Sequence, residues 1–430
     1  MKFWKKGLCM CLAFLSVFMP GCAKDNPAQK DVYEFEKKEN IIEDHQAYEH
    51  EKIHFDDDLF KEANSYNVGK DYRNVYGENL NGIYLESVPL ENGEISRVFA
   101  YVGIPESATA ENKAPAIVLV HGGGGTSFAE WVRLWMERGY VAIAPDTEGN
   151  MPQAGSYTEG AGKIRNTRGG PENTQYRDST KPVEDQFLYH GAAAAIVCNT
   201  YLGSLEVVDK DKIGICGVSW GGVITSIVTG YDDRFAFSIP IYGTLNLTNS
   251  HGSFAGLLQA NPKAQIWDET AALEAIKTPI LWLNGANDQF FSFDASTKSY
   301  LQSKQGFISV INGFNHSHSS AWNREEPYRF ADSVVKGGVK LIKVTKQPTF
   351  EDKRVDFLVP NGCELQAIKL LTSSDSVPTR DTLWKETWLK DFNNNSVAFE
   401  LEEDVNMFYL EIMDKSQCIT STVLVSKGDL

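Results

Sequence analysis

Basic residues are in the minority in this chain of 430 residues. It has 41 Lys and Arg against 57 Asp and Glu, so its formal net charge is −16. A surface that binds nucleic-acid phosphates needs clustered Lys and Arg, and this balance argues against a nucleic-acid partner. Low-complexity tracts and obvious repeats are also absent. The composition is that of a globular protein with an ample core, and the length suggests about two or three domains.

Cysteine is sparse too, with seven residues in the whole chain. No C-x-x-C pair and no His/Cys ligand spacing is present, so we expect no metal site of the zinc type. Cys198 lies in an Ala-rich helical run and Cys216 in an apolar strand, where thiols behave as small buried hydrophobes. Cys363 and Cys418 fall in the C-terminal region, and an exported protein could join them in a disulfide. The sequence leaves that pairing open.

The chain lacks an apolar run long enough to cross a bilayer as a permanent helix. The longest candidate, residues 8–19, follows a lysine-containing start and ends in M-P-G-C. This end resembles the lipobox of bacterial lipoproteins, in which Cys22 would become the lipidated first residue of the mature protein. We therefore expect a signal peptide over residues 1–21 and a lipid anchor at the bacterial cell envelope. A conventional secretory signal cleaved nearby is the alternative.

Three further regions follow the signal peptide. Residues 22–78 are polar and charged, which predicts a tether or extension that includes a short helix or two. Residues 79–345 alternate between apolar strand patterns and helical patterns. This alternation predicts a doubly wound, mostly parallel sheet that is covered by helices on both faces. Residues 346–430 contain short strand-like runs separated by Pro, Gly, Asn and Asp, which predicts a small C-terminal β-sandwich.

Two long polar segments, 147–187 and 244–276, interrupt the alternation in the central region. Ligand sites in such folds lie beyond the carboxyl ends of the strands. Long loops at this edge of a sheet are usually functional covers or substrate walls.

Ser219 lies in the stretch I-C-G-V-S-W-G-G-V, at Gly-x-Ser-x-Gly spacing. A serine hydroxyl is a poor nucleophile at neutral pH. It needs a neutral imidazole to accept its proton, a carboxylate to orient that imidazole, and donors for the developing oxyanion. The pattern is short enough to occur by chance, so these partners decide the interpretation. Cys216, the other candidate nucleophile, lies inside the predicted strand without a partner base.

The candidate acid and base follow later strands in the expected chain order. Asp288 comes directly after the predicted strand 280–283, and His316 comes just past the last strand of the region. His318 competes for the role of base. The family resemblance described below favours His316, because its distance from the strand end is the usual reach of this loop in that family. We interpret His318 as a nearby polar residue that contacts substrate. The predicted catalytic residues are thus Ser219, His316 and Asp288.

The oxyanion donors are predicted from H-G-G-G-G at residues 121–125, directly after the buried strand 114–120. Gly122 or Gly123, together with the backbone N–H of Trp220, would stabilise the oxyanion. A phosphate-binding loop is the competing interpretation, but no Gly-Lys-Ser/Thr follows. Gly217 and Gly221 fit a crowded strand-to-helix turn, where side chains would collide with the neighbouring strand and helix.

The stretch Y-H-G-A-A-A-A-I-V…S-L-E-V-V-D-K-D-K-I-G-I-C-G-V-S-W-G-G, followed by D-D-R-F-A-F-S-I-P-I-Y-G, resembles a branch of the α/β-hydrolase superfamily. It is similar to the bacterial acetylxylan esterase/cephalosporin-C deacetylase-like and dienelactone hydrolase-like serine hydrolases. The resemblance covers about residues 95–335. Where many relatives have D-x-R-G, this chain has Asp146 and Glu148 with no arginine between them, so no arginine role is carried over.

The resemblance implies acyl transfer to water without a metal or an organic cofactor. We expect a lipoprotein serine esterase that removes acyl groups, above all acetyl groups, from carbohydrates or small molecules. Two alternatives stay open: a serine peptidase of the prolyl-oligopeptidase type, and a non-catalytic glycan-binding lipoprotein on a hydrolase scaffold. Only about 75 residues precede the predicted sheet, so we expect no N-terminal propeller of the kind found in those peptidases, which makes the peptidase the weaker alternative. The presence of candidate Ser, Asp and His residues together with a Gly-rich loop argues against a non-catalytic binding protein.

Overall fold

The computed structural model describes residues 33–35 and 52–428. The predicted signal peptide and Cys22 lie outside these residues. The strands of the first three quarters of the chain are, in order, β1 (Ser65–Asn67), β2 (Leu80–Pro89), β3 (Ile95–Gly103), β4 (Ala114–Val120), β5 (Val141–Pro145), β6 (Asn150–Pro152), β7 (Lys163–Arg165), β8 (Val208–Val218), β9 (Phe237–Ile241), β10 (Ile280–Gly285) and β11 (Gly306–Ile311).

All of these strands except β6 and β7 form one nine-stranded sheet in the order β1-β2-β3-β5-β4-β8-β9-β10-β11. The pairs from β1 to β5 are antiparallel, and every pair from β5 to β11 is parallel. The predicted mostly parallel sheet is therefore confirmed. Its first strand, β1, lies within the segment that the sequence predicts as an extension.

The parallel strands are buried because their sequences are apolar almost throughout. Residues 116–120 in β4 are fully buried, and so are most residues of β5, β9 and β10. Strands covered on both faces require such continuous apolar runs. This is why the sequence identifies these strands while it misses short polar ones.

The helices are α1 (Ala129–Met136), α2 (Phe187–Ser204), α3 (Trp220–Tyr231), α4 (Phe254–Ala260), α5 (Ala271–Ala275), α6 (Phe293–Gln302), α7 (His318–Trp322) and α8 (Glu326–Val335). Helices α1 to α6 lie in the connections between the parallel strands, and α7 and α8 follow β11. Short 3₁₀ turns occur at Asp57–Phe60, Lys70–Tyr72, Val75–Gly77, Val183–Asp185 and Pro262–Asp268. Trp135 of α1 packs against Tyr328 of α8, at 4.6 Å between ring centroids.

The two long polar segments, which the sequence marks as interruptions of the alternation, contain short elements of their own. The first includes the β6–β7 hairpin, and the second includes α4, α5 and the 3₁₀ turn Pro262–Asp268. Three-residue strands such as K-I-R are too short to show a period, so composition alone described these segments as loops.

The C-terminal region forms two antiparallel sheets. One has the order β12-β13-β16, and the other has the order β15-β14-β17-β18 with β19 paired to β17. The strands are β12 (Lys343–Lys346), β13 (Arg354–Leu358), β14 (Leu365–Ser373), β15 (Lys385–Leu389), β16 (Ser396–Ala398), β17 (Met407–Asp414), β18 (Ile419–Ser421) and β19 (Val425–Ser426). Phe357 of the first sheet and Phe408 of the second belong to one shared apolar core, so the predicted β-sandwich is confirmed.

The sandwich packs against the edge strand β11 of the large sheet. Ser309 donates its hydroxyl to the carbonyl oxygen of Ile419, and the N–H of Val310 donates to Oγ of Ser421 at 2.9 Å. The described residues from Phe35 onward form a single compact unit that contains both the large sheet and the sandwich. Within the described residues, no helix is both long and apolar enough to cross a membrane.

Candidate active site

Ser219 lies at a sharp turn between β8 and α3. Its backbone has φ 57° and ψ −119°, a left-handed conformation that costs a non-glycine residue about 1–3 kcal/mol. A Cβ at Gly217 would lie 2.0 Å from the carbonyl oxygen of Gly221, and a Cβ at Gly221 would lie 2.0 Å from that of Val120. Both glycines are thus required by crowding, as predicted. Strain of this kind, held by the surrounding structure, is typical of a nucleophile elbow.

The structure brings the three predicted catalytic side chains into one chain of hydrogen bonds. Nε2 of His316 lies 2.8 Å from Oγ of Ser219, and Nδ1 of His316 lies 2.6 Å from Oδ2 of Asp288. The other carboxylate oxygen of Asp288 accepts the N–H groups of Phe290 and Phe291, each at 2.9 Å. The Asp288 side chain is fully buried. This geometry allows the carboxylate to hold Nδ1–H and leave Nε2 free to accept the serine proton.

Tyr242 fixes the position of the His316 ring, a role that the sequence did not indicate. Its ring stacks on the imidazole at 4.5 Å between centroids. Its hydroxyl donates to the carbonyl oxygens of Asn315 and Ser317, each at 3.1 Å. Burial raises the pKa of the Tyr242 hydroxyl. The tyrosine therefore acts as a neutral support for the loop that carries His316.

The two histidines of N-H-S-H differ completely in their contacts. Nε2 of His318 accepts the backbone N–H of Gly122 at 2.8 Å, and no hydrogen bond joins His318 to Ser219 among the described residues. Gly122 is therefore not a free donor, which corrects its place among the predicted oxyanion donors. The N–H groups of Gly123 and Trp220 have no hydrogen-bond partner within residues 33–35 and 52–428, and both residues line the cavity in front of Ser219.

Glu148 joins residues 121–125, the candidate oxyanion loop (called the oxyanion loop below), to the polar segment that follows β5. Its carboxylate is buried and accepts the N–H of Gly124 at 2.9 Å and the side-chain amide of Asn173 at 3.1 Å. The ammonium group of Lys163, on β7, lies 3.3 Å from this carboxylate and donates to the carbonyl oxygen of Gly124 at 3.0 Å. The sequence placed Glu148 directly after a strand but gave no signal of these partners.

A cavity of about 540 Å³ opens in front of Ser219. One part of its lining is aromatic and includes Trp220, Phe254 and Phe290, and another part is polar and includes Glu172 and Asn173. The polar residues come from the long segment 147–187 that the sequence predicts as a substrate wall. This cavity is large enough for an acyl group together with part of its alcohol or amine.

The thiols do not take part in this arrangement. Cys216 is buried beneath the turn, and burial raises the pKa of its thiol. It therefore remains a neutral strand residue, as predicted. Cys363 and Cys418 are both free in this structure. The Sγ atom of Cys363 instead lies 3.4 Å from Oδ2 of Asp414.

The acid loop, residues 286–291, is in contact with the C-terminal sandwich. The side-chain amide of Asn287 lies 2.8 Å from the carbonyl oxygen of Thr382 and 3.2 Å from that of Arg380. The Arg380 guanidinium donates to the side-chain oxygen of Gln289 at 3.0 Å. The sandwich thus contacts the residues on both sides of Asp288.

The sheet, the elbow and the Ser–His–Asp arrangement define a hydrolase of the α/β-hydrolase fold. Residues 98–329, more than half of the chain, match the dienelactone hydrolase family. The chain belongs to that family.

Other relatives are more distant. Dipeptidyl-peptidase 5 of Porphyromonas gingivalis is 24% identical over 198 residues, which are 44% of this chain and 25% of that protein. This chain thus covers about a quarter of that relative's length. An acetyl xylan esterase from Paenibacillus sp. R4 is 15% identical with a TM-score of 0.47, over 64% of this chain and 89% of the other. An acylaminoacyl peptidase of Pyrococcus horikoshii is 18% identical with a TM-score of 0.45, over 60% of this chain and 42% of the other.

Proposed function

We propose that this protein is a serine esterase that hydrolyses carboxylic esters, above all acetyl esters, on carbohydrates or small molecules. The observation that carries the proposal is the continuous hydrogen-bonded chain from Ser219 through His316 to Asp288. The hydrogen-bonded series begins at Ser219, which faces a cavity. In that cavity the N–H groups of Gly123 and Trp220 are unused by the described residues.

The reaction would proceed in two acyl-transfer steps. Oγ of Ser219 attacks the ester carbonyl carbon while Nε2 of His316 accepts the hydroxyl proton, and Asp288 stabilises the imidazolium that forms. The N–H groups of Gly123 and Trp220 stabilise the oxyanion. Collapse expels the alcohol, which takes the proton from His316. A water molecule then attacks the acyl-enzyme by the same route, releases the carboxylic acid and restores the serine.

The lining of the cavity supports a polyhydroxylated substrate. Aromatic faces such as those of Phe254 and Phe290 pack on the C–H faces of a sugar ring, and polar groups such as those of Glu172 and Asn173 accept or donate hydrogen bonds to hydroxyls. No excess of positive charge lines the cavity, which disfavours strongly anionic substrates.

The test is a turnover assay of purified protein with p-nitrophenyl acetate, acetylated xylo-oligosaccharides and a proline-containing chromogenic peptide. We expect ester hydrolysis, and a loss of at least about 10⁴-fold in kcat for Ser219→Ala with an unchanged melting temperature. The matched control is Ser204→Ala, an exposed serine at the end of α2. Activity that survives Ser219→Ala would contradict the proposal.

A serine peptidase is the second candidate, because dipeptidyl-peptidase 5 is a relative by sequence. The same assay separates the two functions. Peptide cleavage without ester cleavage would establish the peptidase. No turnover and no labelling of Ser219 by a fluorophosphonate would favour a non-catalytic glycan-binding protein.

We also propose that Cys22 carries the lipid that anchors the protein at the cell envelope. A single acyl chain binds membranes weakly, and two or three together give stable anchoring. The test is metabolic labelling with an alkyne fatty acid in a bacterial host. Cys22→Ser should abolish the label and Cys11→Ser, within the predicted signal peptide, should leave it. A label retained by Cys22→Ser would contradict the anchor.

A further inference from the structure

The oxyanion loop, H-G-G-G-G at residues 121–125, cannot hold a fixed shape by itself. Glycine loses more conformational freedom on folding than any other residue. An oxyanion donor is effective only when it is already aimed at the position where charge develops. The loop therefore needs partners that fix it from outside before Gly123 can serve as a donor.

Both backbone polar groups of Gly122, Gly124 and Gly125 are engaged. The carbonyl oxygen of Gly122 accepts the N–H of Gly125 at 3.0 Å and lies 2.8 Å from Nδ1 of His121. Gly124 and Gly125 are held by Glu148 and Lys163, as described above. The N–H of Gly122 donates to His318. Of the four glycines in the loop, only Gly123, at the centre, offers an N–H without a partner among the described residues.

His318 is itself held rigidly from several sides. Its ring packs edge-on against Phe128, at 4.8 Å between centroids, and lies tilted against Trp322, at 6.2 Å. Its Nδ1 lies 3.5 Å from Oε1 of Glu159, which is in the β6–β7 hairpin. The same carboxylate accepts the backbone N–H groups of His318 and Ser319, each at 2.9 Å. The side chain is only 12% exposed.

We propose that His318 is a positioning residue for the oxyanion loop. By accepting the Gly122 N–H through Nε2, it fixes the loop so that the N–H of Gly123 faces the oxygen of the substrate carbonyl. The inference rests on the proposed esterase function and adds to it a role for the second histidine of N-H-S-H.

This role requires an uncharged ring. A protonated imidazole has two N–H donors and no acceptor, so it would face the Gly122 N–H with a donor. Burial lowers the pKa of His318 to about 4, and the nearby His121 and His316 act in the same direction while Glu159 opposes them. At neutral pH the ring therefore carries its hydrogen on Nδ1, toward Glu159, and keeps Nε2 as an acceptor.

The test compares His318→Leu with His318→Gln. Both side chains have a size similar to histidine, but only glutamine can accept a hydrogen bond from Gly122. We expect His318→Leu to lower kcat for an acetyl ester by about 10–100-fold, somewhat less than the loss of an oxyanion donor, with KM nearly unchanged. His318→Gln should restore most of the lost rate. Ser320→Ala, on the same short helix, should keep the wild-type rate.

A second measurement reports the oxyanion site itself. A trifluoromethyl ketone adds to the serine oxygen and leaves a negative oxygen in the oxyanion site, as the proton passes to His316. Its inhibition constant should rise in His318→Leu by the same factor by which kcat falls. A general packing defect would not produce this proportionality, and folding is checked by circular dichroism and melting.

The outcomes separate this inference from the proposed function. A wild-type protein without turnover and without fluorophosphonate labelling would overturn both. A wild-type esterase whose His318→Leu variant keeps its kcat within about twofold would overturn the inference alone, since loss of a preorganised donor costs far more. A His318→Gln variant as slow as His318→Leu would also overturn it.

Discussion

The oxyanion loop and the acid loop reach the same serine from two sides, but they are held in different ways. The oxyanion loop is rich in glycine and is fixed by side chains from distant parts of the chain, above all His318, Glu148 and Lys163. In the acid loop, Oδ1 of Asp288 accepts N–H groups of its own loop. Within this loop the sandwich contacts the residues on either side of Asp288, namely Asn287 and Gln289.

This difference teaches which contacts matter for catalysis. The glycine-rich loop has one internal hydrogen bond, between Gly122 and Gly125, and depends otherwise on its outside partners. A loop closed by several bonds of its own tolerates the loss of an outside contact. We therefore expect substitutions around the oxyanion loop to lower kcat, and substitutions between the acid loop and the sandwich to lower stability with little effect on kcat.

The largest effect is expected from the acid residue itself. Asp288→Asn should lower kcat by about 10³–10⁴-fold, because an amide in place of the carboxylate favours the wrong tautomer of His316. The measurement is kcat for p-nitrophenyl acetate together with fluorophosphonate labelling, and circular dichroism verifies the fold. A loss below tenfold would mean that the acid loop does not supply the orienting carboxylate.

A smaller effect is expected from Lys163→Met. The substitution removes the donor to the carbonyl oxygens of Gly124 and Gly125 and leaves the buried Glu148 carboxylate without its ion pair. We expect kcat to fall by about tenfold, less than for loss of a direct donor, since the other contacts of the loop persist. Lys415→Met, at an exposed ion pair in the sandwich, is the control. If kcat were the same in both variants, Lys163 would not be a support of the oxyanion loop.

Asn287→Ala tests the other half of the comparison. It removes the hydrogen bonds to the carbonyl oxygens of the sandwich, at a cost of about 1 kcal/mol of stability. We expect a lower melting temperature and a kcat close to that of the wild type, because Asp288 keeps its bonds within the loop. Leu383→Ala, at a side chain that is 84% exposed beside the same contact, should change neither quantity. A kcat loss as large as that of His318→Leu would break the comparison.

The smallest effect concerns pH. Burial lowers the pKa of His190 and of His318 to about 4, below the ordinary histidine value of 6.5. Between these values the unfolded chain binds more protons than the folded chain, so the free energy of unfolding falls as the pH falls. It is unaffected by these histidines above pH 6.5 and decreases as the pH falls toward 4. His318→Gln should flatten the decline of the urea midpoint between pH 7 and pH 5, whereas His54→Gln, at an exposed residue, should not. An unaltered slope in His318→Gln would contradict the buried neutral state.

The parts of the site that lie next to buried strands were predictable from the sequence. Ser219, Asp288 and His316 each follow a strand whose apolar run is unmistakable, and parallel strands bring their ends to one edge. The structure places these three side chains together, while their catalytic role remains a proposal. The glycines at 217 and 221 were predictable because crowding at a strand-to-helix turn is a local property.

The supports of the site were not predictable in the same way. The bond between Gly122 and His318 joins residues 196 positions apart, and the contact of Asn287 with Thr382 spans 95. Such contacts depend on how whole segments fold over the sheet and leave no periodic signal. The sequence could therefore name the two histidines but could not tell that the second one holds a backbone amide.

The contact of the sandwich with β11 also bears on how the chain matures. A bare edge strand can pair with an edge of another molecule and so seed aggregation. Here the residues that shield β11 follow late in the chain, since Ile419 lies 110 positions after Ser309. During synthesis the residues of this sheet edge are thus made well before the residues that cover it. A chaperone that recognises exposed strands would have its main opportunity in that interval.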